Sequence, residues 1–144
     1  MTFLLDVNVL VALIWEQHLH HAAAREWFAR QVTAATNHFA TCGVTQSGFV
    51  RVSSNPGVLR DAVSVQEAAA VLGRLVELGS HRFLSDDRGF VGNPLVPHEQ
   101  LVGHRQVTDA HLIGMARHHG ARLATFDLAM RQLGADVVES LTTR

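Results

Sequence analysis

Three aspartates are the residues in this chain whose type and placement suit chemistry: Asp6, Asp109 and Asp127. The last two are 127 − 109 = 18 residues apart. Thr108 precedes an apolar run and reads as a helix N-cap, because its hydroxyl can accept from the free N–H groups of a first turn. Asp109 then falls in that first turn, where a negative charge suits the helix dipole. Gly120 reads as the left-handed residue that stops the helix. Residues 122–125 (RLAT) are a strand candidate, with Asp127 just past its end.

The chain lengths decide whether these two acids meet. About eleven helical residues at 1.5 Å each carry the chain about 16 Å away from Asp109. A turn, a short strand and its entry loop at about 3.3 Å per residue return it by a similar distance. In a layered βα fold a helix start and the end of the next parallel strand lie on one edge of the sheet, so the two carboxylates are expected to face one another there. Open α/β sheets bind their ligands at this carboxyl edge. Asp6 ends a first apolar strand candidate, 2–5 (TFLL), and precedes an apolar helix, so it belongs at the same edge. Three crowded carboxylates resist ionising, and a divalent cation removes that cost. Oxygen donors of this kind favour Mg²⁺ or Mn²⁺.

These residues sit in a pattern of alternating elements. Helices are expected over 8–16, 22–32 (with Trp27 and Phe28 inward), 44–52 and 64–78. The last carries Ser64 as cap and Glu67 three residues on as a capping box. Further strands are expected at 38–42, 81–84 and 136–139, and a loop with a short helix at 85–104, where two prolines and three glycines fall. Strand–helix alternation defines an α/β class with a mostly parallel sheet. The 144 residues make one domain, 1–144, with no repeat or linker.

Composition excludes several alternatives. A formal net charge of −1 leaves no overall basic footprint for nucleic acid, so such a ligand needs a local arginine patch or a metal. No apolar run reaches the length of a membrane span, the N-terminus lacks a basic leader, and the one cysteine, Cys42, fits a buried site in a reducing cytoplasm. All twelve basic residues are arginine. Receiver-type phosphoacceptor domains and haloacid-dehalogenase-like phosphatases place a lysine beside their acids, and a P-loop needs one too, so a chain without lysine fits none of them. The ten histidines show no HExxH or Cys–His spacing, which argues against zinc, and are expected at the surface.

Three stretches, "FLLDVNVLVAL", "TCGVTQSGFVRV" and "GHRQVTDAHLIGMARHHGARLATFD", in this order and spacing, resemble PIN domains, and more narrowly the VapC toxins of VapBC toxin–antitoxin modules. The resemblance covers nearly the whole chain. It implies a three-layer α/β/α fold with a mostly parallel sheet of about five strands, and endoribonuclease activity with Mg²⁺ or Mn²⁺. It also implies a homodimer, and inhibition by a VapB-type antitoxin. Asp6, Asp109 and Asp127 match the family's metal-binding and catalytic acids. Where the family often has a glutamate, in the helix after the second strand, this chain has Gln46, which can offer a carbonyl oxygen or hold a water but cannot act as a base. That departure leaves a second reading open, a catalytically silent PIN-like domain that binds RNA or protein. A small-molecule phosphatase on a similar sheet is the third.

Other residues carry two readings each. Asn8 either orients Asp6 or caps the first helix. Thr125 either bonds a site carboxylate or is a plain strand residue. Asp127 has a turn or cap role as its local alternative. Arg51 and Arg105 border the site and contact phosphate, or else sit in salt bridges. Asp86 and Asp87 are solvated loop acids, or restore the charge missing at Gln46.

Overall fold

The computed structural model describes residues 1–141. Its elements are β1 (Thr2–Leu5), α1 (Val7–Ile14), α2 (His21–Phe28), β2 (His38–Thr41), α3 (Gly43–Ser53), α4 (Val65–Val76), β3 (His81–Phe83), α5 (Val107–His119), β4 (Arg122–Thr125), α6 (Met130–Gly134) and β5 (Val138–Ser140). The five strands form one all-parallel sheet in the order β3-β2-β1-β4-β5. The alternation of elements predicts this α/β class with a parallel sheet, and the three-layer α/β/α arrangement is the one the resemblance implies. Chain direction across the sheet reverses between β1 and β4, which makes their carboxyl ends the topological switch point.

Strand residues alternate between two cores. Phe3 and Leu5 of β1 and Phe39 of β2 face a core built with α1, α2, α3 and α4, around Leu10, Trp27, Phe49 and Leu72. Leu4, Ala40 and Leu123 point the other way, onto Leu112, Ile113 and Met115 of α5 and Met130 and Leu133 of α6. The strands are therefore covered on both sides, which is why they read as apolar runs without polar alternation. α1 meets α3 closely: a Cβ on Gly48 would lie 2.6 Å from Val7 Cγ2. Only glycine lets α3 pack there, one residue along the chain from Asp6.

Several boundaries differ from the sequence reading. α2 ends at Phe28 and runs on as a π-helical segment, Ala29–Ala34, so the 22–32 amphipathic stretch is one rod with two hydrogen-bond registers. Trp27 is buried; Phe28 is half-buried against the same core. Ser64 Oγ accepts from Glu67 N at 3.0 Å, as a cap should. Thr108 is not a cap: a 3-10 turn, His104–Gln106, leads directly into α5, whose N-cap position is Gln106. Gly120 does terminate α5, with φ at +64°. α6 was not expected from the sequence, because its five residues are too few to show helical periodicity.

Candidate active site

Asp6 lies at the carboxyl end of β1 with its backbone N–H donating to Ala124 O across the switch point at 3.0 Å. Its side chain is 8 % exposed. Oδ1 accepts from Val7 N at 2.8 Å and Oδ2 accepts from the Thr125 hydroxyl at 2.7 Å. Burial pushes the carboxyl pKa up, the Thr125 and Val7 bonds pull it back, and the charge of Asp127 pushes it up further.

Thr125 ties the site together. Besides donating to Asp6, its Oγ1 accepts from Asn8 Nδ2 at 3.2 Å and from Asp127 N at 3.0 Å. Its single proton and both lone pairs are therefore used. Asn8 Oδ1 in turn accepts from Phe126 N at 3.2 Å. Asn8 thus acts through Thr125 on the geometry of the Asp6 carboxylate, while Asp6 itself caps α1. Asp127 combines two roles: its Oδ1 accepts from Ala129 N at 2.9 Å, closing the turn before α6, and its charge reaches both other acids.

Asp109 enters from the first turn of α5, half-buried. Its carboxylate has no hydrogen-bond partner among the described residues. Burial, then the charges of Asp6 and Asp127, push its pKa up to about 6. The helix dipole favours an anion here, but only by fractions of a kcal/mol. It is outweighed by desolvation and two neighbouring carboxylates. The three acids thus form a graded set: Asp6 buried and anchored, Asp109 half-buried and unanchored, Asp127 exposed. A group of hard oxygen donors that repel one another and have no ion-pair partner among the described residues suits a small divalent metal ion.

The remaining candidates divide. Gln46 Nε2 donates to the buried Thr41 hydroxyl at 3.0 Å, and that hydroxyl contacts His81 Nε2 at 2.8 Å. The Gln46 amide is therefore anchored to the end of β2, a contact that no local pattern foretold. Arg105 is exposed and makes no ion pair among the described residues, against the salt bridge that is the default for such a side chain. It stands four residues before Asp109, at the carboxyl edge. Arg51 is also exposed and without an ion pair among the described residues, but it lies in the last turn of α3. Since α3 starts at the carboxyl edge, eight residues of helix carry Arg51 about 12 Å away from it. The backbone of Arg51 is thus set back from the edge at which Arg105 stands. Asp86 and Asp87 do not replace the charge missing at Gln46: they lie along α5, where Asp86 meets His111 at 2.6 Å and Asp87 meets His118 at 3.2 Å. Nor are the histidines uniformly exposed. His18, His20, His21, His81, His111, His118 and His119 are all half-buried, with His21 Nδ1 on Ala12 O and His20 stacked on Phe126.

A parallel sheet with Asp6 and Asp127 just past the ends of the adjacent strands β1 and β4, and Asp109 within range of both charges, agrees with the resemblance to PIN domains, and the PIN-domain family model matches residues 3–136. The chain belongs to that family and, within it, to the VapC group. It is 53 % identical over 124 residues to ribonuclease VapC38 of Mycobacterium tuberculosis, covering 86 % of this chain and 84 % of the relative. Solved structures share the fold. VapC20 of M. tuberculosis, described as a sarcin-ricin loop cleaving toxin, superposes with a TM-score of 0.66 at 16 % identity, covering 97 % of this chain and 99 % of its own. VapBC2 from Rickettsia felis, solved bound to a promoter DNA fragment, gives 0.62 at 12 % identity, covering 99 % and 100 %.

Proposed function

We propose that this protein is the toxin of a type II toxin–antitoxin pair, an endoribonuclease that hydrolyses RNA phosphodiester bonds with Mg²⁺ or Mn²⁺ held by Asp6, Asp109 and Asp127. The observation that carries the reading is the placement of Asp6 and Asp127 at the ends of adjacent strands and of Asp109 in the first turn of α5, where it feels the charge of both and has no hydrogen-bond partner among the described residues. A divalent ion held by these acids would supply Lewis acidity for phosphodiester hydrolysis. The chain's own residues prepare for that. Thr125 and the Val7 amide hold the Asp6 carboxylate in one orientation. Asn8 holds Thr125. Asp109 would offer carboxylate oxygens with no other partner among the described residues, and a cation there would offset the charges of Asp6 and Asp127. Asp127, exposed beside them, would complete the donor set directly or through water.

The test is cleavage of a long single-stranded RNA by the purified chain. Cutting is expected in Mg²⁺ or Mn²⁺, with 5′-phosphate ends, and is lost with EDTA. Asp6→Asn should lower it by at least about 10²-fold, the usual cost of removing a key electrostatic group. A wild-type chain that binds RNA but does not cut it would favour the silent PIN-like reading, for which Gln46 in place of glutamate is the supporting feature. Cleavage of a phosphomonoester and not of RNA would favour the phosphatase.

Two partner readings accompany this function. An open groove of about 510 Å³ between α1, α2 and α4 is lined by Ile14, Phe28, Leu75 and Leu78 and flanked by Arg25 and Arg74. Its apolar floor and paired guanidinium groups suit an amphipathic antitoxin segment carrying carboxylates. A homodimer would concentrate positive charge for RNA on a chain whose net charge is −1. Sedimentation should then give roughly twice the 15.7 kDa chain mass. Arg105→Ala should weaken RNA binding more at low salt than at high salt, because phosphate contacts act through counterion release. Binding lost equally at all salt concentrations would remove Arg105 from the RNA path. Among the described residues no helix is long and apolar enough to cross a membrane, and a toxin acting on RNA belongs in the cytoplasm.

A further inference from the structure

The segment after β3 and the last turn of α5 bring together Asp87, His118 and His119, although 118 − 87 = 31 residues of chain separate the acid from the histidines. One ligand atom from each of the three lies within 4.8 Å of the other two. We propose that these side chains form a binding site for a first-row transition-metal ion, Zn²⁺ foremost, separate from the three carboxylates at the switch point. His118 lies nine residues beyond Asp109 on α5, about 14 Å along the helix axis. The proposal stands on this cluster alone and does not depend on the ribonuclease reading.

One pair in the cluster already has the spacing of ligands sharing an ion. His118 Nε2 and Asp87 Oδ1 are 3.2 Å apart. Two ligand atoms each about 2.05 Å from a tetrahedral zinc lie about 3.3 Å apart. The third ligand is held in a suitable tautomer. His119 Nε2 lies 2.8 Å from Ser85 O, and a carbonyl oxygen can only accept, so Nε2 carries the proton and Nδ1 the lone pair. A backbone carbonyl that takes the second ring N–H is the usual support of a metal-binding histidine.

The loop is arranged without a metal. Asp86 is occupied on both oxygens, by Gly89 N at 3.3 Å and by His111 Nε2 at 2.6 Å. Among the described residues Asp87, next to it, is engaged only by His118, at 3.2 Å. The site also lies at the C-terminal end of α5, where the exposed carbonyls favour a cation. The donor set decides the ion. Two imidazoles and a carboxylate suit Zn²⁺, whereas Mg²⁺ prefers oxygen donors throughout, so the two sites of this chain would take different metals. Solvent has room for the fourth position, since the side chains of His118 and Asp87 are 27 % and 62 % exposed. A bound ion would pin the loop to the C-terminal half of the helix whose first turn carries Asp109.

The test is thermal denaturation of the full, tag-free chain near pH 7.5 with Zn²⁺ as the only added metal, alongside equilibrium dialysis for stoichiometry. One zinc per chain is expected, with a Tm rise of roughly 5–10 °C at about 100 times the dissociation constant. Asp109→Asn should keep that rise. Asp87→Ala and His118→Ala should each lose most of it. Asp87 is exposed, so Asp87→Ala settles the matter even if a histidine variant folds poorly. The proposal fails if zinc gives no shift. It also fails if Asp87→Ala keeps the full shift, or if the shift disappears in Asp109→Asn, which would place the zinc on the switch-point carboxylates.

Discussion

Asp109→Asn is expected to abolish metal-dependent RNA cleavage and, in the same protein, to raise the melting temperature of the metal-free form at neutral pH. The two effects have one cause. Asp109 has no hydrogen-bond partner to lose among the described residues, while its charge sits half-buried beside Asp6 and Asp127. Removing the charge relieves that repulsion and also removes a donor to the cation. Cleavage should fall by about 10²–10³-fold.

The pH dependence has a definite sign. The Asp109 carboxyl rises from an ordinary 3.8 to about 6 in the folded chain. Across that interval the native state holds more protons than the unfolded state, so this group makes stability fall as pH rises. Its contribution stops changing above about pH 6. The lowered pKa values of His18 and His81 act in the opposite direction, since they favour the native state as pH rises. The comparison with Asp109→Asn isolates the aspartate: in EDTA, the Tm gap between variant and wild type should open between about pH 4 and 6 and then hold. Saturating Mn²⁺ should narrow it by stabilising the wild type. A variant no more stable than wild type at pH 7 in EDTA would show that neither burial nor the neighbouring carboxylates penalise the Asp109 charge.

Thr125→Val should be the most damaging change outside the carboxylates. Valine keeps the shape but loses the hydroxyl that donates to Asp6 and accepts from Asn8 and Asp127 N. Thr125 is fully buried, so Asn8 Nδ2 and the Asp127 amide lose a partner that little water can replace. A stability loss of about 1–3 kcal/mol follows from such stranded donors. Metal affinity and cleavage should drop by about 10- to 100-fold, as when a ligand loses its supporting partner. Thr125→Ser keeps the hydroxyl and should restore the Mn²⁺ half-saturation concentration more fully than it restores stability. Equal half-saturation in Thr125→Val and wild type would leave Thr125 with a packing role only.

Much of the architecture was legible in local pattern. Short apolar strands, a capped helix at Ser64 and a glycine stop at Gly120 are consequences of neighbouring residues, and these elements stand close to where the sequence places them. The capping of α5 departs from the Thr108 expectation because a preceding 3-10 turn can start a helix without a capping side chain, and no local residue signals that choice. The histidines were misread for a different reason. Local spacing tests only for motifs within one element, whereas His111, His118 and His119 meet Ser85, Asp86 and Asp87 across a long connection.

The candidate site divides along the same line. By itself the sequence determined which acids sit at strand ends and helix starts, because side-chain period and chain length per residue dictate which edge of a parallel sheet each one reaches. That argument is local and additive, so it needs no knowledge of strand order. Only the tertiary structure decided that β1 and β4 are neighbours, with Asp6 N on Ala124 O at the point where the strand order reverses. It alone also decided that Thr125 serves Asp6, Asn8 and Asp127 together, that Gln46 turns to Thr41, and that Arg51 is carried away from the edge while Arg105 remains there. Those outcomes depend on long-range pairing and on the burial it creates, and burial is what moves the Asp109 pKa to about 6.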